Sequence, residues 1–410
     1  GAQATQTVKG GSGNDLIKSS TQLGAKDVID GGAGSDTLRI DTSGTVDATA
    51  TTGELIGVSN VETIEMNSRD DAAQIDMTGV TGVSTLSTAA SRAVVFDATA
   101  TDTTNATNSA AIVFSLNGVS RTTGAQDASA TAAEAATLIV GVINGLDGFT
   151  AVTNGNAGMI VTADSGKAVE FSLTSGYTNQ DSSAYYDVTL ADLAGDEVID
   201  VYAADLVTIT KEDASGSSDS HTINLATKAA DKAFAHTIGD INVTNIESLT
   251  LTSNGMKAET AKTLSNLSGD AKLTSLTITG DSDLVISDHG TDNTKLATID
   301  ASAMTGSLTL SDSVASLAQT ITTGSGNDTI VMGANLTAAD VLDLGGNTTT
   351  VAGKAGTDKV TADLAAAGTS QTAETRSIAN AETISFKQTT GNSFLDASKI
   401  TNAGTIDFWN

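Results

Sequence analysis

Apolar and polar residues largely alternate in Glu247 to Thr252, Leu273 to Thr279, Ser307 to Leu310 and Thr405 to Phe408. A period of two puts one face of an extended chain in a core and the other in water, so these stretches predict half-buried strands. Such strands stack on their neighbours rather than around one centre, which favours a mainly β chain built as a β-solenoid or layered β-sheet. A pair of Thr-rich sandwiches is the other architecture with this pattern. The alternation gives way between Asn108 and Leu193. Here Ala111 to Leu116 predicts a strand, a glycine turn follows, and Ser129 to Leu146 carries Ala132, Ala136, Ile139, Val140 and Ile143 at spacings of three and four. That stripe predicts an amphipathic helix with Asp127 or Ser129 capping its start. Strands at Gly158 to Thr162 and Ala168 to Leu173 complete one small inserted α/β domain.

Internal repetition divides the rest. Gly11-Ser12-Gly13-Asn14-Asp15 returns as Gly324-Ser325-Gly326-Asn327-Asp328, and Asp27-Val28-Ile29-Asp30 as Asp340-Val341-Leu342-Asp343. Both repeats lie 313 positions apart, 15 against 328 and 30 against 343. A second glycine-aspartate turn follows in each copy, Gly34-Ser35-Asp36 and Gly356-Thr357-Asp358. After it come Asn60-Val61-Glu62-Thr63-Ile64 and Asn380-Ala381-Glu382-Thr383-Ile384. One module is therefore used twice. A third Asn-x-Glu unit, Asn245-Ile246-Glu247-Ser248-Leu249, stands in the middle with no glycine-aspartate turn before it. Ile75-Asp76-Met77-Thr78, Phe96-Asp97-Ala98-Thr99, Ile299-Asp300-Ala301-Ser302 and Leu395-Asp396-Ala397-Ser398 each join an apolar residue, an Asp and a small turn, as stacked coils would. Four segments are expected: a β-rich module at 1–107 with the first turn pair, the inserted domain at 108–193, a β-rich central module at 194–320, and a β-rich module at 321–410 with the second turn pair.

Composition narrows the function. Twenty Lys and Arg against 49 Asp and Glu leave a net charge of −29, the wrong sign for a nucleic-acid partner. Only 17% of residues are charged and 39% are hydrophobic, so the chain folds, but with aromatics at 3% its core is thin and aliphatic. It has no Cys and no Pro, which excludes disulfides, thiolate nucleophiles and Cys-ligated metals. No apolar run approaches the roughly 18 residues of a transmembrane helix. The chain opens Gly1-Ala2-Gln3 without Met or a basic-then-apolar leader, as expected of a processed chain or a fragment.

The chemistry concentrates in the glycine turns. Gly10 to Lys18 and Gly31 to Arg39 both fit the nonapeptide G-G-x-G-x-D-x-U-x, where U is a large aliphatic residue. Thr323 to Val331 departs only at its first position, and Gly353 to Val360 carries Lys354 in place of the second glycine. Glycines permit backbone angles closed to other residues and turn carbonyls inward, while the Asp adds a charged oxygen. Calcium takes 6 to 8 oxygen ligands at about 2.3 to 2.6 Å, which successive turns can supply jointly. The expected ligands are Gly11, Gly13, Asn14, Asp15, Gly32, Gly34 and Asp36 in the first copy, and Gly324, Gly326, Asn327, Asp328, Gly356 and Asp358 in the second. Asp30 and Asp343, with Asp27 and Asp340, are candidate helpers. The competing reading is that Gly-Asn-Asp is turn chemistry alone.

Catalytic signatures are thin. His221, His236 and His289 lack H-E-x-x-H spacing, and there is no G-x-S-x-G elbow. Gly280-Asp281-Ser282-Asp283-Leu284 resembles an esterase motif but reads as a turn. Thr250-Leu251-Thr252 and Thr277-Ile278-Thr279 begin a T-x-T ladder of the sort found in ice-binding solenoids, with no regular continuation along the sequence. Phe408 and Trp409 suit a subunit contact or an end plug. No enzyme is expected.

The nonapeptides resemble the calcium-binding RTX repeats. Together with the Asn-x-Glu-Thr-Ile and Ile-Asp-Ala-Ser units, the chain outside Asn108 to Leu193 resembles the RTX-type surface-layer (S-layer) proteins of Gram-negative bacteria. The inserted segment, with Asn144-Gly145-Leu146 and Phe149-Thr150-Ala151-Val152, resembles insertions in flagellin-like and other bacterial surface proteins. In RTX toxins and lipases the nonapeptides follow one another directly. Here the paired Asp residues stand 21 and 30 positions apart (Asp15 to Asp36, Asp328 to Asp358), which excludes a long uninterrupted calcium roll. The resemblance implies type I secretion, calcium-triggered folding outside the cell and self-assembly. No C-terminal secretion signal is evident before Asn410, which leaves the secretion route open or suggests truncation. The expected function is a structural, calcium-dependent, self-assembling extracellular subunit of a surface layer or filament, partnered by copies of itself at the bacterial cell surface. A calcium-stabilised adhesin module that binds a glycan such as cell-surface polysaccharide is the alternative.

Overall fold

The structure, a computed structural model, describes residues 5–19, 23–42, 45–46, 48, 53–68, 73–88, 91–96, 111–116, 119–125, 132–154, 158–163, 171–175, 180–181, 188–193, 197–201, 206–211, 216, 218–226, 236–255, 261–269, 271–312, 317–346, 357–364, 374–388 and 395–409. The chain is mainly β and winds as a parallel β-solenoid of about 11 turns in all. It divides into two compact units. The first takes in Gly1–Thr189 with short returns at Val201–Leu206 and Lys228–Asp231. The second comprises Leu190–Asp200, Val207–Thr227 and Lys232–Asn410.

In the first unit Thr7–Ser12, Val28–Ala33 and Val58–Ser59 pair in parallel, as do Leu16–Ser19, Thr37–Thr42, Thr63–Ser68 and Thr85–Thr88. Each strand lies against the one a coil later. This pairing decides for a solenoid over sandwiches, whose neighbouring strands run antiparallel. In the second unit one sheet passes through Ser220–Leu225, Ser248–Ser253, Ser275–Thr279, Thr298–Asp300, Thr320–Thr322, Val341–Asp343 and Ser377–Ala379 to Ile400–Thr401. The other runs from His236–Thr244 through Ala261–Gly269, Asp283–Ile286, Leu308–Ser311, Thr329–Gly333, Lys359–Leu364 and Thr383–Gln388 to Thr405–Trp409. The boundary expected at 320/321 therefore cuts through continuous sheets, and the two segments flanking it fold together.

The inserted domain also shifts. Ser91–Phe96 pairs antiparallel with Gly158–Ala163, so the domain starts at Ser91 rather than at 108. Val188–Leu193 belongs to neither of its sheets, so its last strand is Gln180–Asp181. The predicted strand at Ala111–Leu116 forms as expected and makes a hairpin with Val119–Ala125. The helix spans Ala132–Ile143, and Ala136, Ile139 and Ile143 of the predicted stripe are buried against Phe114, Met159, Val161 and Phe171. Phe114 and Phe171 stack with ring centroids 5.5 Å apart. The suggested caps Asp127 and Ser129 lie outside the described residues. Asn144 ties the helix end to the next strand: its amide donates to the Ala151 carbonyl at 2.9 Å and accepts from the Ala151 N–H at 2.6 Å.

Alternation builds the solenoid core as columns of aliphatic side chains, one per coil. Leu38, Ile64 and Leu86 form one; Leu249, Leu276, Ile299, Ile321, Leu342 and Ile378 form another. The rungs of these two columns are all aliphatic, in keeping with the low aromatic content. Phe408 lies on the edge strand of its sheet, stacked on buried Phe386 at 6.0 Å, and is itself 60% exposed. Polar groups are buried among the strands as well: His221 pairs with Leu249, an Arg39–Glu65 ion pair is buried between neighbouring strands, and fully buried Lys262 precedes Leu284 and Leu308. The Lys262 ammonium donates to the carbonyls of Leu225 and, at 2.7 Å, Asn254.

Burial lowers the Lys262 pKa to about 8, against an opposing pull from Asp281. Between about pH 8 and the ordinary value of 10.5 the unfolded chain thus binds more protons than the folded one, and stability rises with pH. Urea unfolding at pH 7.5 and pH 10 is expected to show this rise in the native protein and its loss in Lys262→Met.

Candidate functional site

The residue-by-residue logic of the glycine turns is visible in the first copy. Gly11, Gly13, Gly32 and Gly34 have φ of 106°, 130°, 104° and 150°, angles that an L side chain rarely adopts. Gly10 and Gly31, the first residues of each nonapeptide, serve a different purpose. A Cβ on them would meet the carbonyls of Gly31 and Asn60 one coil on at 2.3 and 1.9 Å, and Oδ2 of Asp15 and Asp36 at 2.6 and 2.7 Å, so the glycine leaves room both for the next coil and for the carboxylate of its own turn. The second copy is built otherwise. Gly324 and Gly326 are absent from the positive-φ residues; a Cβ there would strike the carbonyls of Met304 and Gly306 at 1.9 and 2.3 Å. Close approach of the preceding coil requires them. Gly356 lies outside the described residues.

The turn carboxylates clasp successive coils. The Asp15 N–H donates to Asp36 Oδ1 at 2.8 Å, and the Thr37 N–H returns a bond to the Asp15 carbonyl at 2.8 Å. The Asp36 N–H donates in turn to Glu62 Oε2 at 2.8 Å, while Glu62 and Thr63 donate back to the Asp36 carbonyl. In the second copy Leu308, Asp328 and Asp358 donate to Asp328, Asp358 and Glu382 in the same way, at 2.7 to 2.8 Å. Asn14 and Asn327 extend each clasp by accepting from the N–H of Ser35 and Thr357. Sequence reasoning named the Asp residues but missed the Glu partners, although the Asn-x-Glu units were the signal. Asn60, Asn245 and Asn380 are left-handed, with φ of 52°, 62° and 58°; the next side chain is buried, and the Glu reaches back one coil.

The third unit reveals a clasp with no nonapeptide. The Asp219 N–H donates to Glu247 Oε2 at 2.9 Å, and Glu247 and Ser248 donate to the Asp219 carbonyl. Gly216 makes room here, since a Cβ on it would lie 2.1 Å from Asp219 Oδ2.

The helper residues go elsewhere. Asp30 and Asp343 accept from the amides of Asn60 and Asn380 one coil on, at 2.8 and 2.7 Å. Asp27 accepts from the backbone N–H groups of Gln6 and Gly24, and Asp340 from those of Gln319 and Thr337, so both oxygens of each are engaged. These four brace coil corners.

Whether calcium fits rests on the oxygens left over. Asp36 is wholly buried, its Oδ1 is engaged, and its Oδ2 has no hydrogen-bond partner; Oδ2 of Asp15 and of Asp219 is likewise buried and unpartnered. A desolvated carboxylate oxygen without a partner is costly, and a hard cation satisfies it. Among the described residues no three acidic or histidine side chains converge, so a cation here would draw further ligands from backbone carbonyls of the glycine turn. Asp328 shares the buried, unpartnered Oδ2; burial pushes its pKa above the ordinary carboxylate value and Asp283 adds to this, while the Thr323 hydroxyl and the Leu308 amide pull it back.

Other candidates are closed off. His289 lies 2.6 Å from Asp312 with both side chains sealed from solvent, and His221 is buried. Ser282 of the esterase-like stretch is buried, and its hydroxyl bonds its neighbour Asp281.

Two outcomes are expected. Removing a clasp acceptor with Glu62→Ala or Glu382→Ala leaves a buried N–H unpaired and should cost about 1–3 kcal/mol in denaturant unfolding, whereas Glu→Gln should cost less. Because the folded Asp328 keeps its proton to higher pH than the unfolded chain, its contribution to stability falls as pH rises through the folded value. In chelator, Asp328→Asn should therefore gain on the native protein between pH 4 and pH 7 in the same assay. No family model, curated protein or solved structure matches this chain.

Proposed function

We propose that this protein is a structural, calcium-dependent, self-assembling subunit of an extracellular surface layer or filament on a bacterial cell, and not an enzyme. The observation that carries the reading is the buried, unpartnered Oδ2 of Asp36, stacked one coil from that of Asp15 beside four positive-φ glycines. Asp15 and Asp36 would hold the ion with turn carbonyls, and Asp328 and Asp358 are the corresponding pair of the second copy. A charge of −29 supports a coupling of folding to calcium. Where free calcium is scarce the acidic chain repels itself and its turns lack their ligand, which suits export; outside, binding free energy becomes folding free energy. Each divalent ion also offsets two charges, letting acidic subunits approach. The resemblance of the turns to RTX repeats agrees with this, as does the burial of His221 and His289.

The adhesin reading gains support from the inserted domain, which has its own hydrophobic core and could act as a binding module.

Electron microscopy of the purified chain should show ordered sheets or fibres in millimolar calcium that disappear on chelation, with a parallel loss of β signal in circular dichroism. Folded monomers under both conditions would move the assignment to the adhesin. Asp15→Ala with Asp36→Ala should lower the calcium stoichiometry measured by calorimetry, and an unchanged stoichiometry would remove these residues from the site. Assembly should survive deletion of 91–181.

A further inference from the structure

The internal repeat shows what the coil of Thr7–Ser12 and Leu16–Ser19 is built to meet. By the 313-residue correspondence Leu16–Ser19 answers to Thr329–Gly333, and Thr7–Ser12 to Thr320–Thr322. In the second copy a preceding coil lies against these strands, with Leu308–Ser311 paired to Thr329–Gly333. Its Leu308 N–H donates to Asp328 Oδ1 at 2.7 Å, and its backbone comes so close that Gly324 and Gly326 have no room for a Cβ. Gly32 and Gly34 of the first copy meet their preceding coil in the same way, since a Cβ there would lie 2.1 and 1.9 Å from the carbonyls of Gly11 and Gly13. The first turn differs. Beyond its chain neighbours nothing lies within 4 Å of a Cβ on Gly11 or Gly13, and among the described residues no preceding coil gives an N–H to Asp15 Oδ1. The core is open at the same place: Val8, Ile17, Ser19, Leu23 and Val28 line a cavity of about 90 Å³, and Val8 and Leu16 are exposed.

We propose that this coil receives the coil of Ile400–Thr401 and Thr405–Trp409 from a second copy of the chain, so that subunits join head to tail. The inference rests on the self-assembly reading and names its contact. Thr405–Trp409 is an edge strand, whose outer backbone groups are a template for another parallel strand. The module fixes the register. Asp358, Glu382 and Gly404 stand in successive coils at the position that Asp15 holds in its own. Thr405–Trp409 laid before Leu16–Ser19 therefore sets Ile406 against Ile17, Asp407 against Lys18 and Phe408 against Ser19, and Ile400 meets Val8. Each pair is complementary. Ile406 and Ile400 carry the columns of Ile384 and Ile378 onward to Ile17 and Val8. Phe408, exposed on Phe386, faces a small residue beside the open cavity. Lys18 stands against Arg39, a like charge, and Asp407 meets it from the other side with an opposite one. The two surfaces are different, so the contact is heterologous and repeats from subunit to subunit.

The test uses the absence of cysteine. Lys18→Cys and Asp407→Cys are made singly and together in the full chain, which is assembled in millimolar calcium and oxidised. Coils of a parallel sheet repeat at about 4.8 Å, within the roughly 4.4 to 6.8 Å that separates the Cα atoms of a disulfide. On a non-reducing gel the double variant should run as a ladder of covalent oligomers and the equimolar mixture of the single variants as dimers, while neither single variant links alone. Phe408→Ser should need at least tenfold more protein to form sheets or fibres, with circular dichroism checking its fold. Unlinked chains in assemblies of the double variant overturn the head-to-tail contact and leave the self-assembly reading in place, as does assembly of folded Phe408→Ser at the native concentration. A native protein that never assembles overturns both. Linkage of Lys18→Cys alone makes the contact symmetric and overturns the inference. So does a Lys18→Cys thiol shielded from maleimide in unassembled protein, because another segment of the chain then covers the coil.

Discussion

The architecture depends on the reciprocal bond pair between successive coils, in which a turn residue gives its N–H to the carboxylate one coil on and receives an N–H at its own carbonyl. Asp15–Asp36, Asp36–Glu62, Asp219–Glu247, Asp328–Asp358 and Asp358–Glu382 all make it. A solenoid corner interrupts the sheet ladder and would bury unpaired backbone groups there. The carboxylate supplies the missing acceptor and fixes which residue of one coil faces which of the next. Since a slip of one residue would turn every core side chain outward, the clasp also sets the aliphatic columns.

A core of single-file columns makes each coil nearly independent of distant ones and dependent on its two neighbours. This explains how the chain tolerates an α/β domain with its own core between Ser91 and Asp181, and how Lys262 can sit in a column of leucines. The ammonium is tolerable because two backbone carbonyls receive it. Its neighbours in the column, Leu284 and Leu308, carry the packing onward.

Much of the fold was legible. Strands expected at Glu247–Thr252 and Ala111–Leu116 lie within a residue of those observed, because a period of two in one half-buried face leaves an unambiguous trace. The Asp residues of the nonapeptides were legible as well. Their partners were not, and the reason is coil length. The five clasps span 21, 26, 28, 30 and 24 residues, so loops of variable size hide a contact that is regular in space. Asp219 also carried no Gly-Gly-x-Gly signal. Asp27, Asp30, Asp340 and Asp343 show a related ambiguity: an Asp near a turn serves as readily to cap amides as to hold a metal, and sequence does not distinguish the two.

The clasps also end where electrostatics requires. Each run of acidic rungs stops at a Glu, and the following coil answers it with an uncharged residue: Ser84 and Thr274 give both N–H and hydroxyl to the carbonyls of Glu62 and Glu247, and Gly404 stands next after Glu382. Two carboxylates at coil spacing repel by roughly 3 kcal/mol at an effective dielectric near 20. A ladder of many ionised rungs would pull itself apart. Runs of two or three keep that cost bounded, and within them the buried, unpartnered Oδ2 atoms of Asp15 and Asp36 are the oxygens that the proposed calcium would neutralise. The proposed calcium site and the length of the clasp are then consequences of one constraint: the acids needed to join the coils are more than bare coils can hold.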